Sequence, residues 1–254
     1  MLSSPFDFLV IRSFLSVRRR GAIRWAALAV GLSVVPGCMT PAVNDPARVG
    51  PFHTPSNHVG ERSLGGLRRV VLLPVCGGTL APQETVAAFD PVFAAALQRQ
   101  NRFEIVVLAR EDCLRKFRVP EFSSAASLPR DFLATLKRDF SADAVLFVDI
   151  TVFRAYRPLA LGLRAKLATL DGTRLVWTFD DVFSADDPAV ANSARHHTLT
   201  RDRGDVPADL SPAVLQSPAR FADYAAMAMF ATLPPVILPA AMPGAVPPAS
   251  ARKP

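Results

Sequence analysis

The chain reads as an α/β protein whose single domain holds a mixed sheet, and three patterns in the sequence lead there. Short, β-branched runs bounded by turn residues, Arg69–Val75 and Phe103–Leu108, alternate with segments of helical period. The run Val145–Val148 is continuously apolar, as a strand covered on both faces must be, and beyond Asp149 it alternates. Two alternating segments then meet at Asp171-Gly172, a hairpin signal. A βαβαβ start predicts parallel pairing with right-handed crossovers, a terminal meander adds antiparallel strands, and the helices pack on the sheet.

Taken in order, residues 1–37 are expected to be a signal peptide. Arg18, Arg19, Arg20 and Arg24 make a basic region, Trp25–Pro36 an apolar one, and a small residue, Gly37, precedes Cys38. The uncharged run continues to Asn44, close to the roughly 20 residues of a membrane span, but Pro36, Gly37 and Pro41 interrupt it. Val35-Pro36-Gly37-Cys38 resembles the bacterial lipoprotein signal box. That resemblance implies cleavage before Cys38 and lipidation of Cys38 on its sulfur and new amino group. Each buried methylene contributes about 0.8 kcal/mol, so two or more acyl chains form a firm membrane anchor. Met39, where an aspartate would be a retention signal, implies delivery to the outer membrane. A spanning helix and an unmodified cysteine are the alternatives.

Residues 38–66 read as a flexible tether. Pro41, Pro46, Pro51, Pro55, Gly60, Gly65 and Gly66 break the segment, it has no apolar period, and His53 and His58 are expected to be solvated. Fully extended, it would reach at most about 90 Å.

The folded domain is expected over residues 67–233, ample for one core. After the first strand, Cys76-Gly77-Gly78 reads as a plain turn, because the lysine-serine or third glycine of a phosphate loop is missing. Gln83–Gln100 has helical spacing of Val86, Phe89, Phe93 and Leu97, with Asp90-Pro91 predicting a kink or a fresh start. Arg110–Phe117 is a short helix. Another opens after Ser127-Leu128-Pro129, with Phe132, Leu133, Leu136 and Phe140 on one face. The long strand Ala144–Tyr156 turns at Arg157-Pro158 into Ala160–Leu170. The register of the hairpin that follows is set by burial: a three-residue loop groups Leu163, Ala165 and Leu167 with Leu175, Trp177 and Phe179, leaving Arg164 and Lys166 beside Thr178 and Asp180. Asp187-Pro188 and Ser217-Pro218 cap two further helices. Residues 234–254, with seven prolines and five alanines, form a disordered tail.

The full chain carries 29 basic and 22 acidic residues, but residues 1–37 hold five of the arginines and one aspartate, so the remainder is only +3. No basic face builds up, and nucleic acid is not an expected partner. Cys76 and Cys113 are left as a possible disulfide or as two separate thiols, since an oxidising periplasm would permit the bond. Neither has a histidine at ligand spacing, and the neighbours His196 and His197 diverge by about 100° on a helix, so no metal or cofactor is expected.

Over residues 68–185 the chain resembles bacterial envelope lipoproteins and periplasmic domains typified by LpoB, CsgG and the TolB N-terminal domain. The resemblance rests on RVVLLPV, FEIVVL, SADAVLFVDITVF with its Ala142-Asp143-Ala144 step, and TRLVWTFDDVFSA with Trp177. It implies an assembly, scaffolding or activator role; the long membrane hairpins of CsgG-type pores are missing. No catalytic residue is assigned. Asp171 belongs to a turn and Asp187 to a cap, Asp180 and Asp181 point to opposite faces, no Gly-x-Ser-x-Gly elbow occurs, and Asp149 is expected to pair with Arg164. The sequence thus predicts a lipid-anchored, non-catalytic binding module for another envelope protein, on the periplasmic side of the outer membrane. The alternatives are a subunit of an export or surface-assembly complex and, third, an envelope hydrolase.

Overall fold

Six strands and six α-helices follow one another along the chain in this computed structural model, which describes residues 44–201 and 211–236. Helix α1 (Pro46–Val49) and strand β1 (His58–Gly60) precede β2 (Arg69–Leu72), α2 (Gln83–Arg99), β3 (Glu104–Val107) and α3 (Arg110–Phe117). Then come α4 (Phe132–Phe140), β4 (Ala144–Arg154), β5 (Ala160–Thr169), β6 (Leu175–Ser184) and α5 (Pro188–Arg201). A 3₁₀ turn (Ser211–Gln216) leads into α6 (Pro218–Ala231). The expected signal peptide, Cys38 and all of the tail beyond Val236 lie outside the described residues.

The strands form one mixed sheet in the order β1-β6-β5-β4-β2-β3. β2 pairs parallel with both β3 and β4, as the βαβαβ start predicts, and β4, β5, β6 and β1 pair antiparallel. The sheet is covered on two faces because its central strands are apolar on both. One face carries Val70, Leu72, Leu146, Val148, Leu163, Leu167, Trp177 and Phe179 against α2, α5 and α6. The other carries Val71, Leu73, Val145 and Phe147 against α3 and α4, where Phe117, Phe122 and Phe132 stack within 4.4–5.5 Å of one another. The edge-to-face and tilted ring pairs add to the area term that burial already supplies.

Two local expectations are met by a different device. The hairpin pairs Arg164 with Asp180, Lys166 with Thr178 and Leu167 with Trp177, the pairing that burial selects. The shift of parity comes from a β-bulge between Leu167 and Ala168, not from loop length: next to the turn Ala168 still faces Leu175. Helix α2 does not restart at Pro91; it runs from Gln83 to Arg99 with the proline inside it. Asp90 is not a cap. Its carboxylate reaches out of the helix and accepts the Val75 N–H at 2.8 Å.

The tether is corrected as well. Residues 44–66 are laid along the domain as a strap. Asp45 caps α1 by accepting from Ala47 N at 3.0 Å, and its carboxylate takes two guanidinium N–H bonds from Arg195, both at 3.0 Å. Ala47 and Leu64 are buried. His53 donates its backbone N–H to Ser193 Oγ at 2.8 Å and rests its ring edge-on against Phe183, so it is not a solvated residue. Asn192 Nδ2 donates to the Pro51 carbonyl, and β1 extends the sheet beside β6. A strap held by single anchors and side-chain-to-backbone bonds leaves no apolar period to read. Its one readable signal was Asp45-Pro46, the same Asp-Pro cap as at Asp187-Pro188.

Candidate functional site

On the face that carries α3 and α4, those helices cover β2, β3 and the start of β4. Farther across, β5, β6 and β1 have no helix over them among the described residues. There the surface consists of Arg164, Lys166, Thr178 and Asp180, flanked by Val152, Val182 and Val59 at 37, 45 and 73% exposure. Arg164 Nε donates to Asp180 Oδ2 at 2.8 Å, straight across the β5–β6 pair. Gly162 lies in the same row, between Val152 and Val182. A Cβ there would come within 2.5 Å of Thr151 Oγ1 and 2.8 Å of Val152 N, because a bulge in β4 at Thr151 presses the strand against β5. Glycine is therefore required, and it leaves a flat notch between two valines.

Where the covered and open halves meet, a cavity of about 440 Å³ opens beside Asp149, lined by Cys76, Gly78, Leu80, Ser123, Thr151 and Arg164. A smaller one of about 220 Å³ continues over Lys166, Thr178 and Asp180 to Asn57 and His58, and Arg164 borders both. The two depressions form a trough across the sheet.

Asp149 is 5% exposed and lies opposite Arg164 in the sheet, yet Arg164 is not its partner. Its carboxylate instead accepts from Ser124, taking the backbone N–H at 3.0 and 3.1 Å and the hydroxyl at 2.5 Å. Lys166 Nζ donates to the Ser124 carbonyl at 2.9 Å. One serine in the loop between α3 and α4 is thus held through three groups, and the trough wall is fixed to the sheet. Replacing Asp149 by alanine leaves the Ser124 N–H and hydroxyl unpaired and is expected to cost about 2 kcal/mol. Hydrogen exchange at residues 122–126 should accelerate, and Lys166→Met, which frees a single carbonyl, should show a smaller increase; equal exchange in wild type and Asp149→Ala would refute the latch.

The same end of β2 is tied down by Arg110. Its guanidinium donates to Asp90 Oδ2 at 2.6 Å and Oδ1 at 3.1 Å, to Glu121 Oε2 at 2.5 Å and to the Val75 carbonyl at 2.6 Å. Glu121 Oε1 in turn accepts from Gly77 N and Gly78 N, both at 3.2 Å. The glycine turn that the sequence left without a ligand therefore holds the chain's own carboxylate. Arg110, Asp90, Glu121 and Ser124 were all missed in the sequence; Asp90 was read as a cap, and the others lie in a short helix and a loop with no pattern.

The chemistry available at this trough is limited by its own hydrogen bonds. Cys76 bridges Asp149 in the sheet, and burial, then the carboxylates of Glu121 and Asp149, push its thiol up to about 12. Cys113, on α3 itself, is fully buried, and burial raises its thiol to about 12 as well. Both cysteines are free thiols in this structure. A thiol held protonated at neutral pH is a poor nucleophile. Asp149 is engaged by Ser124, and no histidine lines the cavity beside it among the described residues. His196 and His197 turn to different partners, the Ala47 carbonyl and Asp223, at 2.9 Å each. Asp180 and Asp181 point to opposite faces, toward Arg164 and His53. Among the described residues no group of His, Cys, Asp and Glu could hold a metal ion, and no helix is long and apolar enough to cross a membrane. What the trough offers is a rigid polar surface with an apolar rim.

No protein-family model matches the chain, and no curated protein is similar to it in sequence. Among solved structures, it is similar to lipoprotein GNA1162 from Neisseria meningitidis at 13% identity and a TM-score of 0.37, over 47% of this chain and 85% of that one. A PelC dodecamer from Paraburkholderia phytofirmans matches at 14% identity and a TM-score of 0.35, over 50% of this chain and 78% of the other. The LpoB C-terminal domain from Salmonella enterica matches at 16% identity and a TM-score of 0.31, over 49% and 84%. LpoB is one of the proteins that the strand motifs resemble; the superpositions are partial and loose.

Proposed function

We propose that this chain is a lipid-anchored envelope module that binds another envelope protein through the uncovered half of its sheet, without performing chemistry itself. The observation that carries the reading is that half-face. Its backbone is paired into a six-stranded sheet, its charged pair is already matched, and Val152 and Val182 stand exposed beside a glycine notch, with Val59 farther along on β1. Val152 and Val182 offer an apolar contact beside the matched Arg164–Asp180 pair, and a surface already held by its own hydrogen bonds avoids part of the ordering cost of binding. Anchoring is read from Val35-Pro36-Gly37-Cys38, with cleavage before Cys38 and the domain on the periplasmic side of the outer membrane.

The test has two arms. A photo-crosslinking residue at Val182 or Val59 should capture one discrete protein, while the same residue at Leu114, exposed on α3, should not; equal capture from all three positions would remove the face from the reading. Cys38→Ala or globomycin should block processing and release the protein from the membrane fraction, and unchanged fractionation would remove the anchor. Ring-sized particles after gentle detergent extraction would instead indicate a subunit of an export or surface-assembly complex.

A further inference from the structure

On the opposite side of the sheet, two helices bring cations to a carboxylate on a third. Asp223 on α6 accepts from Arg99 Nη1 of α2 at 3.1 Å, lies 2.9 Å from His197 Nε2 of α5, and accepts a short bond from Arg201 Nη1 at the end of α5. Burial alone would raise the pKa of this carboxyl; the bonds from His197 and from Arg201 more than offset it and hold the group well below the usual carboxylate range. Beside it opens a cavity of about 320 Å³, lined by Val92, His197, Thr198, Arg201, Arg220 and Asp223. Arg220 reaches it from the first turn of α6 and has no ionic partner among the described residues. Arg99 and Arg201 thus bond Asp223 while Arg201 and the unpaired Arg220 line the cavity, three guanidiniums to one carboxylate over the cluster, and no second acidic side chain lines the cavity among the described residues.

Such an excess is unfavourable unless water or an anion answers it. Asp223 occupies only some of the donors: each guanidinium carries five N–H groups in a fork that matches phosphate and carboxylate oxygens. Asp223 holds Arg99 and Arg201 in place, so their remaining donors are already oriented, while Val92 gives the cavity an apolar wall. We propose that this cavity is a binding site for a small oxyanion, a phosphate or carboxylate group, held by Arg201 and Arg220 with Asp223 positioning Arg201. It is separate from the uncovered sheet face and does not depend on the function assigned there.

The probe is inorganic phosphate, titrated into the full chain while the Nε–H resonances of the arginines are followed by NMR. Saturable shifts of the Arg201 and Arg220 signals are expected. Arg220→Gln, at an exposed site that leaves the Asp223 cluster intact, should weaken binding roughly tenfold, the worth of one charge-assisted bond. Arg154→Gln, on the far face, should leave it unchanged. A second arm offers acetate and vesicles containing an anionic phospholipid. Vesicle capture that is lost in Arg220→Gln assigns the oxyanion to a lipid headgroup, and saturation without capture assigns it to a free anion. Shifts that rise linearly without saturating, or the same affinity in Arg220→Gln as in wild type, would overturn the site.

Discussion

Arg110→Ala is expected to lose about 3–5 kcal/mol of folding stability, the range for removing one partner of a buried ionic network. The side chain is 10% exposed, and Asp90 and Glu121 are 23% and 18% exposed, so neither carboxylate can turn fully into solvent when the guanidinium is gone. The Val75 carbonyl is left without its donor too. The loss joins elements from both sides of the sheet, because Asp90 sits in α2 and Glu121 in the loop after α3. Arg110→Lys keeps the charge, but one ammonium cannot reproduce bonds spread over three nitrogens, and an intermediate loss is expected. Urea unfolding followed by circular dichroism measures all three proteins. A deficit under 1 kcal/mol in Arg110→Ala would mean that the network is solvated and carries little.

Trp177→Ala is expected to cost about 3–5 kcal/mol on the covered face, as for other large buried aromatics. The ring is fully buried, with centroids 6.0 Å from Phe179 and 6.5 Å from Phe230, and its Nε1–H donates to Thr232 Oγ1 at 3.2 Å. It also supports the strap, since a Cβ added at Gly60 would lie 3.3 Å from its ring and 2.8 Å from Pro234. The variant should therefore show faster amide exchange at Val59–Glu61 in addition to its lower midpoint. Trp177→Phe retains most of the volume and loses the N–H bond, and should cost about 1 kcal/mol. Stability near wild type in Trp177→Ala would show that the site closes over the gap.

The sheet was legible in the sequence wherever burial imposes a period. Val145–Val148 had to be central, and the apolar set of β5 and β6 had to share a face, so their pairing follows from side chains alone. The bulge that achieves it left no mark, because Val176 is as apolar as its neighbours. The site was much less legible. Asp149 stood out as a charge in an apolar strand, but its partner is a serine in a loop without period, 25 residues away. Arg110, Glu121 and Asp90 meet only once both crossovers have formed, and spacing does not encode such a meeting. The strap failed for the opposite reason: its prolines and glycines read as disorder, while its order comes from contacts more than 100 residues distant.

That strap changes the mechanics of any anchor at Cys38. With residues 44–66 bound to the domain, Cys38 is six residue steps from Asn44, over which even fully extended chain reaches at most about 20 Å. The 90 Å arm that a free tether would supply is not available while Asp45 stays clamped by Arg195. If Cys38 carries the lipid proposed above, a domain held this way would sample a thin shell next to the bilayer, where its effective concentration toward membrane-bound targets would be high and toward distant ones low. Releasing that arm would take more than opening the Asp45–Arg195 clamp, because His53, Asn192 and the β1–β6 pairing hold the strap as well.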